Sequence, residues 1–547
     1  MKHFIQSSLP PIDVPATDIA SFFFSTVGRH AEFNGQNKPA RPLFIDPHTP
    51  DRSLTLHDLK HFCQSLAAGL HHRLHVRPGD VVAIVMPNST YYPAVILAVL
   101  MAGATCTLAN PAYTARELAH QLEDSKAVAI ITVSALHAVV TDAIALLSFP
   151  LHAESHLLVA DRENPRLCSI FDVATDQPFV QCQWTSTEAN STPAFIPYSS
   201  GTTGKPKGVI LSHHNIIANI LQAKAVHSQP DNPDEPRTSV AVLPMFHSFG
   251  LLFLCFLMPI NQTATVIMPK FEMSEFLRLI KDYQVTETML VPPIVNALAK
   301  MSKQSVYQDI SSLRQIVVGA APLSPETIQA LETHMPQLQV LQGYGLTESS
   351  PAISLNPPGP SCQPKSAGRL LPMIDALILD DQGRAVGPDE TGELCFRGPN
   401  MMLGYLNNPV ETQRTIDSNG FLHTGDIGYI DSNQFVYITD RKKELIKFNG
   451  FQVAPAELEG ILLQHPRVSD CAVIGVFDEK RQTEVPRAYL VFKHDQSSDV
   501  DYTADIVEWL NSQVAYYKQL RGGCRVVQSI PKSASGKILR RMLKTND

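Results

Sequence analysis

The sequence predicts an α/β protein with a large N-terminal domain of two parallel-rich sheets plus a β-barrel-like subdomain, followed by a small α+β C-terminal domain. Three observations predict this class. The chain has 547 residues, whereas a single hydrophobic core stops growing at about 250–300 residues. Short apolar runs alternate with helical patterns, which favours parallel sheets covered by helices. After about residue 365 the pattern changes to short strands separated by turns.

The alternation of strand and helix dominates the first part of the chain. Strands are predicted at residues 81–86, 127–133, 239–243, 264–268, 288–291 and 315–318, and helices at 92–101, 115–124 and 325–334. Later, short strands are predicted at 376–379, 392–397 and 435–438, beside turns at 381–383 and 431–433. From Asp440 onward strand and helix alternate again, so we expect domains at residues 1–440 and 441–547.

Composition narrows the class of function. Hydrophobic residues make up 44% and charged residues 18%, which excludes wholesale disorder. The formal net charge of −8 disfavours nucleic-acid binding. Nine scattered cysteines form no C-x-x-C pair, which indicates a reducing compartment and argues against a disulfide framework or a zinc site. The most apolar run, residues 250–260, is about half the length of a membrane span, and no secretory signal is evident, so we expect a cytoplasmic protein without a membrane span.

Residues 198–208, with the sequence YSSGTTGKPKG, are the most informative stretch. Hydroxyl and backbone N–H groups can surround a polyphosphate, and glycines let the backbone approach it closely. The stretch is not a Walker loop, because Pro206 follows the Gly-Lys pair where Ser or Thr is required. A flexible surface loop is the competing interpretation, but ten consecutive residues of this kind favour phosphate binding.

With its companions, this stretch resembles the superfamily of acyl-adenylate-forming enzymes. The companions occur in the family's order across most of the chain, at residues 103–118, 244–250 (PMFHSFG), 319–323 (GAAPL), 342–348 (QGYGLTE), 392–398 (GELCFRG), 423–426 (HTGD), 440–450 (DRKKELIKFNG) and 531–539 (PKSASGKIL). One such motif could be chance, whereas all of them in order are a specific signal. The likeness is greatest to the 4-coumarate–CoA ligase-like branch, especially through residues 450–458.

The resemblance implies an AMP-forming acid–thiol ligase that works in two steps. A carboxylate attacks the α-phosphate of Mg-ATP to give acyl-AMP and pyrophosphate, and the thiol of CoA then displaces AMP. The implied partners are a small carboxylic acid, ATP and CoA, with Mg²⁺ as cofactor and a monomer or weak homo-oligomer as assembly. The resemblance also implies that the small domain is mobile, with one orientation per half-reaction and Lys443 at the hinge.

The resemblance assigns a nucleotide site to residues spread over both halves of the chain. Glu348 would ligate Mg²⁺, a hard cation that prefers carboxylate and phosphate oxygens. Asp426 would accept hydrogen bonds from both ribose hydroxyls. Tyr344 would offer an aromatic face to the adenine. The competing interpretations are a surface carboxylate for Glu348, an Asx-turn residue for Asp426 and a buried structural tyrosine for Tyr344. The remaining nucleotide-binding positions are Ser199, Ser200, Gly201, Thr202, Thr203, Gly204, Lys207, Gly319, Ala320, Ala321, Gln342, Gly343, Gly345, Thr347 and Arg441.

Lys537 is the residue that we expect to promote adenylation. It lies in a glycine-containing turn near the C-terminus, where a mobile ammonium could reach the α-phosphate and the acyl carboxylate together. A solvated basic tail is the alternative. The resemblance places His247 beside the carboxylate, and it assigns the thioester step to Lys447 and Gln452, with CoA lying against Lys447, Phe448, Asn449 and Gly450.

The acyl pocket implied by the resemblance is lined mainly by small or apolar residues. They are His247, Ser248, Phe249, Val317, Ala320, Gly343, Gly345, Pro351 and Ala352. The 4-coumarate–CoA ligases commonly carry a lysine at the position of Val317. An unpaired buried phenol would cost about 1–3 kcal/mol, so we expect a fatty or unsubstituted aryl-alkenoic acid.

Three other functions remain open at the level of sequence. A luciferase-like oxygenase and a stand-alone adenylation enzyme that loads a carrier protein would share the adenylation residues. A noncatalytic nucleotide sensor is disfavoured, because Lys537, Glu348 and Asp426 are all present.

Overall fold

The computed structural model describes residues 4–33, 41–184, 186–199, 206–227, 235–301, 304–441, 444–448, 451–479, 481, 483–493, 502–533 and 536–544. Within these residues, no helix is both long enough and apolar enough to cross a membrane. All nine cysteines are free thiols, so the chain carries no disulfide framework, as the sequence predicted.

Two eight-stranded sheets form the body of the large domain. The first contains, in spatial order, Gly404–Tyr405, Lys207–Ser212, Pro193–Phe195, Thr105–Leu108, Val81–Ile84, Ala129–Thr132 and Leu157–Val159, with Tyr198–Ser199 beside the second of these. The other contains Arg369–Leu370, Ala352–Leu355, Gln339–Gly345, Gln315–Val318, Glu287–Leu290, Arg237–Ala241, Thr263–Ile267 and Phe44–Ile45. Most pairs in both sheets are parallel, which confirms the predicted fold class.

A third, antiparallel sheet of six strands forms the barrel-like subdomain. Its strands are Ile5–Gln6, Asp375–Leu379, Gly392–Arg397, Leu422–Ile430 and Val436–Arg441 in spatial order, with Ala385–Val386 paired to the second. The last strand crosses the predicted boundary at residue 440 and ends at Arg441. Because residues 442 and 443 lie outside the described part of the chain, the domain boundary stays a prediction.

The small C-terminal domain has its own hydrophobic core. A two-stranded sheet, Ile446–Phe448 with Phe451–Val453, and a three-stranded sheet, Val468–Asp478, Thr483–Phe492 and Cys524–Val526, enclose it. Apolar side chains from both sheets and from two helices pack together, including those of Phe448, Leu458, Val473, Leu490 and Ile506. This core is separate from that of the large domain, as the change of pattern after residue 440 predicted.

Helices cover the sheets. The α-helices are Ile19–Phe33, Leu56–Arg73, Tyr91–Met101, Ala115–Ser125, His137–Ile144, Ala153–His156, Ile170–Val173, Ser186–Ser191, His213–Val226, Ser248–Gly250, Met258–Ile260, Met273–Tyr283, Pro292–Ala299, Gln304–Asp309, Pro325–His334, Pro409–Thr415, Pro455–Leu462, Thr503–Asn511 and Arg540–Lys544. Short 3₁₀ turns occur at Pro50–Arg52, Ser134–Leu136, Thr347–Ser349, Gly359–Ser361 and Tyr516–Lys518, and Leu251–Leu257 is a π-helical stretch.

Local sequence explains where several helices begin. The side chains of Thr55, Thr114 and Ser212 each accept a hydrogen bond from the backbone N–H three residues later. The side chain of that later residue in turn accepts a hydrogen bond from the backbone N–H of the capping residue. Such reciprocal capping satisfies donors that the first helical turn leaves unpaired. Helix Tyr91–Met101 is almost entirely buried, because sheets and helices surround it on all sides. These helices hold the strand ends in place, and the loops at those ends carry the predicted site.

Candidate active site

Two side chains of the large domain, those of Arg441 and Tyr344, contact the buried carboxylate of Asp426. Asp426 and Arg441 are Cα partners on adjacent strands of the antiparallel sheet, and the Arg441 Nε lies 3.0 Å from Asp426 Oδ1. The hydroxyl of Tyr344 donates to Asp426 Oδ2 at 2.6 Å. Asp426 is only 2% exposed, and burial raises its pKa although Arg441 and Tyr344 act in the opposite direction. The carboxylate is therefore held in place by two donors, one of them cationic.

Tyr344 does more than offer an aromatic face. Burial and the neighbouring Asp426 raise the pKa of its phenol well above the usual range, so the hydroxyl stays protonated and serves as a donor. Its ring packs against Phe396 with centroids 6.0 Å apart. The hydroxyl of Tyr344 thus contacts Asp426, and the contact of its ring with adenine stays a prediction.

The small domain brings Lys537 to the same place. Gly536 has φ +79°, and the turn closes through bonds from the N–H groups of Gly536 and Lys537 to the backbone carbonyl and the hydroxyl of Ser533. A Cβ at Gly536 would lie 3.4 Å from Val291 and 3.6 Å from Pro293 of the large domain. The turn therefore sits directly on the large domain and directs Lys537 towards its site.

Charged groups converge on Lys537 from both domains. Burial and the nearby Arg441 lower its pKa to about 8, while the carboxylates of Glu444, Asp426 and Glu348 favour the ammonium form. Burial and the positive charge of Lys537 lower the pKa of His247 to about 4. The structure thus brings Lys537 near Arg441, Asp426, Glu348 and His247, which were predicted from motifs far apart in the chain. His247 is neutral at physiological pH.

His247 owes its position to the segment around it. Its Nδ1 accepts a hydrogen bond from the N–H of Phe249, which caps the helix that follows. A Cβ at Gly250 would lie 2.2 Å from the carbonyl oxygen of Pro244, so only glycine permits this tight turn from strand to helix. The motif at residues 244–250 therefore fixes the backbone around the imidazole, and the place of His247 beside the acyl pocket stays a prediction.

The predicted metal ligand, Glu348, lies in a short 3₁₀ turn at Thr347–Ser349. Its Oε1 accepts two hydrogen bonds, from the hydroxyls of Ser199 and Tyr405, both at 2.9 Å. The sequence did not single out Tyr405. Its strand, Gly404–Tyr405, pairs with strand Lys207–Ser212. This pairing places the phenol beside the C-terminal end of the glycine-rich stretch.

Lys207, predicted to bind phosphate, is held by side chains that the sequence analysis missed. Its Nζ donates to Glu411 Oε1 at 2.7 Å and lies 4.4 Å from the ring centroid of Tyr405. An ammonium over an aromatic face and beside a carboxylate is favourably placed. Ser200, Gly201, Thr202, Thr203 and Gly204 lie outside the described residues, so their predicted roles rest on the sequence.

Gly319 and Gly345 allow neighbouring groups to pack closely, because a Cβ at either position would crowd them. A Cβ at Gly319 would lie 3.1 Å from the ring of Phe249, and one at Gly345 would lie 1.9 Å from the carbonyl oxygen of Pro351. Ala320 has φ +71°, a backbone conformation that costs energy for any residue with a Cβ. The segment with Ala321 and the strand with Gly343 therefore pack as closely as glycine and alanine allow.

Gln342 has a structural use in this region. Its side-chain amide donates to the carbonyl of Pro364 at 2.7 Å and accepts from the N–H of Leu323 at 2.9 Å. The bond from Leu323 ties the strand at residues 339–345 to the segment 319–323, and the bond to Pro364 ties the same strand to the chain at residue 364. The predicted nucleotide contact of Gln342 stays a prediction, and we expect it to act by holding these two segments.

The residues of the predicted acyl pocket are apolar or small, apart from His247 and Ser248. Val317 is 2% exposed and Ala352 is 7% exposed, and the rings of Phe249 and Phe253 meet edge to face at 5.1 Å. The hydroxyl of Ser248 is buried and has no hydrogen-bond partner among the described residues. Val317 and Ala352 are therefore buried and apolar, and the acyl pocket that they are expected to line stays a prediction.

The predicted CoA-facing residues lie on the small domain. Lys447 is exposed, and its Cα partner on the two-stranded sheet is Gln452. Phe448, in contrast, is 2% exposed and packs in the small domain's core, so its side chain supports the sheet from inside. Lys443, Asn449, Gly450 and the side chain of Gln452 lie outside the described part of the structure.

Comparison with family models decides the family. A model described as AMP-binding enzyme matches residues 31–406, and its companion for the C-terminal domain matches residues 457–537. The chain belongs to the AMP-binding enzyme family. These matches cover both domains of the structure and confirm the resemblance drawn from the motifs.

Full-length relatives narrow the family to CoA ligases. The chain is 35% identical to a probable 4-coumarate–CoA ligase of Dictyostelium discoideum, covering 99% of this chain and 97% of that protein. It is 36% identical to a 4-coumarate–CoA ligase of Pinus taeda, covering 100% and 98%. A ligase of the same name from Arabidopsis thaliana is 38% identical, with 98% and 93% covered.

Solved structures agree in fold. An ATP-bound MatB from Rhodopseudomonas palustris has a TM-score of 0.82 at 25% identity, covering 96% of this chain and 98% of that one. An o-succinylbenzoate CoA synthetase of Bacillus subtilis, in complex with its acyl-adenylate intermediate, has a TM-score of 0.77 at 27% identity, covering 95% and 97%. The comparisons confirm the expected enzyme class, an AMP-forming acid–CoA ligase.

Proposed function

We propose that this enzyme activates an apolar carboxylic acid, fatty or aryl-alkenoic, as its acyl-AMP and then transfers the acyl group to CoA. The observation that carries the proposal is the convergence of Lys537, Glu348, Asp426 and His247 from separate motifs. Such an arrangement positions anions and stabilises charge that grows in the transition state, without a nucleophile from the protein.

Each group has a defined part in this proposal. Asp426 accepts the ribose hydroxyls while Arg441 and Tyr344 hold its carboxylate. Lys537 approaches the α-phosphate and the acyl carboxylate as oxygen attacks phosphorus and pyrophosphate leaves. His247, neutral because burial and Lys537 lower its pKa to about 4, accepts from Phe249 at Nδ1 and can therefore donate one hydrogen bond from Nε2 to the carboxylate without attracting it as a cation.

Mg²⁺ fits the donor set around Glu348. The carboxylate is oriented by hydroxyl donors of Ser199 and Tyr405, and Thr347 adjoins it in the same turn. Oxygen donors of this kind, together with phosphates, suit a hard divalent cation. When bound, Mg²⁺ would neutralise charge on the phosphate oxygens.

The second step is proposed to use the other face of the small domain. Lys447 is exposed beside Gln452 on the two-stranded sheet, and a rotation at Lys443 would bring that face to the acyl-AMP. Lys537 would leave the site at the same time. A lid that alternates in this way separates the two half-reactions in one pocket.

The lining of the acyl pocket supports an apolar substrate. Val317 and Ala352 are buried and apolar, and a phenol on the substrate would find no lysine at position 317. The hydroxyl of Ser248 is the one buried polar group without a protein partner among the described pocket residues. A single small polar substituent near it could therefore be accommodated.

A pyrophosphate-release screen tests the proposal directly. Fatty acids of graded length, cinnamate and 4-coumarate would be offered with ATP and Mg²⁺, with and without CoA. We expect release with the apolar acids, acyl-CoA only when CoA is present, and 4-coumarate to be a poorer substrate than cinnamate. A preference for 4-coumarate would contradict the pocket argument. Acyl-AMP without transfer to CoA would contradict the second step.

A further inference from the structure

Two strands of the barrel-like sheet bring a thiol, an imidazole and a carboxylate together beside the nucleotide site. Glu393 and Cys395 alternate along strand Gly392–Arg397 and so belong to one face of it. His423, on strand Leu422–Ile430, is the Cα partner of Cys395. Its Nδ1 lies 3.4 Å from Cys395 Sγ and 3.9 Å from Glu393 Oε1.

An irregularity in strand pairing creates this cluster. Glu393 pairs with Ile427 and Cys395 with His423, so a longer stretch of the second strand faces a shorter stretch of the first. The excess residues include Gly425, which has φ +70°. The bulge that presents Asp426 to the nucleotide site therefore also sets His423 against the thiol and the carboxylate.

The distances fit a tetrahedral zinc ion. Zinc bonds of about 2.3 Å to sulfur and about 2.0–2.1 Å to nitrogen or oxygen place the sulfur and nitrogen ligands roughly 3.5 Å apart, and nitrogen and oxygen roughly 3.3 Å apart. The thiol–imidazole distance of 3.4 Å agrees with this separation. The imidazole–carboxylate distance of 3.9 Å is slightly long, and a small rotation of the Glu393 side chain would shorten it. All three ligand atoms lie within 4.8 Å of one another.

The surroundings also suit a metal centre. Asp417 Oδ2 lies 3.7 Å from Nε2 of His423, the position of the outer carboxylate that orients a metal-bound imidazole. The sulfur of Cys395 is covered by Leu377 and Phe421, whereas the side chains of His423 and Asp417 are 26% and 24% exposed. The site thus has an apolar floor and an opening to solvent.

A catalytic thiol is the rival interpretation of the same residues. Cys395, His423 and Asp417 lie in the order of a nucleophile, its base and an orienting carboxylate. Cys395 is 0% exposed, however, so a substrate has no access to the sulfur. We propose that Glu393, Cys395 and His423 form a binding site for a zinc-like divalent cation, with Asp417 as the residue that orients the imidazole.

Cobalt gives a spectroscopic test, because a cobalt–thiolate bond absorbs in the near ultraviolet and a hydrogen-bonded thiol does not. Full-length protein stripped with EDTA would be titrated with Co²⁺. We expect a thiolate-to-cobalt absorption band whose intensity saturates at one Co²⁺ ion per chain. Added Zn²⁺ should remove the band, whereas excess Mg²⁺ should leave it intact. The absence of the band would overturn the proposal.

Matched variants assign the band to the cluster. Cys395→Ser should abolish it, while Cys168→Ser, which changes an exposed thiol elsewhere in the large domain, should preserve it. His423→Gln keeps the thiol and should weaken Co²⁺ binding at least tenfold, and Asp417→Asn should weaken it about 10–100-fold. A band that survives in folded Cys395→Ser protein, or binding unaffected by His423→Gln, would place the metal elsewhere and refute the site.

Discussion

The ribose side of the site and the catalytic-lysine side are built in different ways. Asp426 and Arg441 are adjacent partners in one antiparallel sheet, so the hydrogen bonds of the large domain alone fix their separation. Lys537 belongs to the other domain and reaches the same carboxylate only because its turn rests against Val291 and Pro293. We therefore expect the large domain to bind the nucleotide in either orientation of the small domain, and the charge of Lys537 to be present at the site only when the two domains are docked.

Polar contacts support the docked arrangement. Lys300 of the large domain donates to the backbone carbonyl of Ser469 at 3.3 Å. Arg540, three residues after Lys537, bonds Glu444 at 2.6 Å and Glu459 at 2.7 Å. This ion-pair group ties the C-terminal segment to the start of the small domain, so a movement of the small domain would carry Lys537 with it.

The largest expected effect is the loss of adenylation, without loss of thioester formation, when the Lys537 side chain is removed. Lys537→Ala should lower ATP–pyrophosphate exchange about 10²–10³-fold, since it removes a group that stabilises transition-state charge. Synthetic acyl-AMP and CoA should still give acyl-CoA at the normal rate, because the ribose side is intact. Lys544→Ala, an exposed lysine of the same segment, is the control. Equal losses in both half-reactions would show that the lysine is not specific to adenylation.

The second prediction concerns the loss of the Asp426 carboxylate on the ribose side. Asp426→Asn removes charged hydrogen bonds worth about 1.5–3 kcal/mol and leaves the Arg441 guanidinium without its anion. Affinity for AMP, measured by calorimetry, should fall about 10–100-fold, and both half-reactions should suffer. Tyr344→Phe removes one hydrogen bond, from a neutral donor, to the same carboxylate and should cost less. Intact AMP binding in Asp426→Asn protein would remove Asp426 from the nucleotide site.

A smaller effect concerns the phosphate side. Tyr405→Phe keeps the ring under Lys207 but removes the donor to Glu348, a net loss of about 1 kcal/mol. The Mg²⁺ concentration for half-maximal activity, and Mn²⁺ affinity in the presence of an ATP analogue, should each change about fivefold. Tyr405→Leu, which also removes the ring, should in addition raise KM for ATP. If Tyr405→Phe behaves like the unaltered enzyme, the hydroxyl has no part in orienting Glu348.

The smallest expected effect is the change of the adenylation rate with pH. Burial and Arg441 lower the pKa of Lys537 to about 8, so the ammonium form that adenylation requires is lost as pH rises through this value. The kcat/KM for adenylation should fall by about half at pH 8 and about tenfold per further unit. Thioester formation from acyl-AMP should lack this alkaline limb. Lys537→Arg, which stays charged, should abolish the limb if the assignment is right.

The sequence predicted regular elements well wherever pattern and local chemistry agree. Strands Gln315–Val318 and Gly392–Arg397 and helix Pro325–His334 have the predicted limits. The helix begins after Ser324, which caps it, and has proline in its first position. The strand predicted at 435–438 continues to Arg441, because its partner strand extends further than its own apolar pattern indicates.

By itself, the sequence determined the two-domain α/β organisation, the family motifs and the residue types that adenylation requires, since these depend on local pattern and on order along the chain. Only the tertiary structure decided which other side chains contact these residues and keep them in position. Tyr405 reaches Glu348 across 57 positions and Lys207 reaches Glu411 across 204, and Cys395 meets His423 through the pairing of two strands. Such partners are set by strand register and by a bulge, which no spacing in the sequence records.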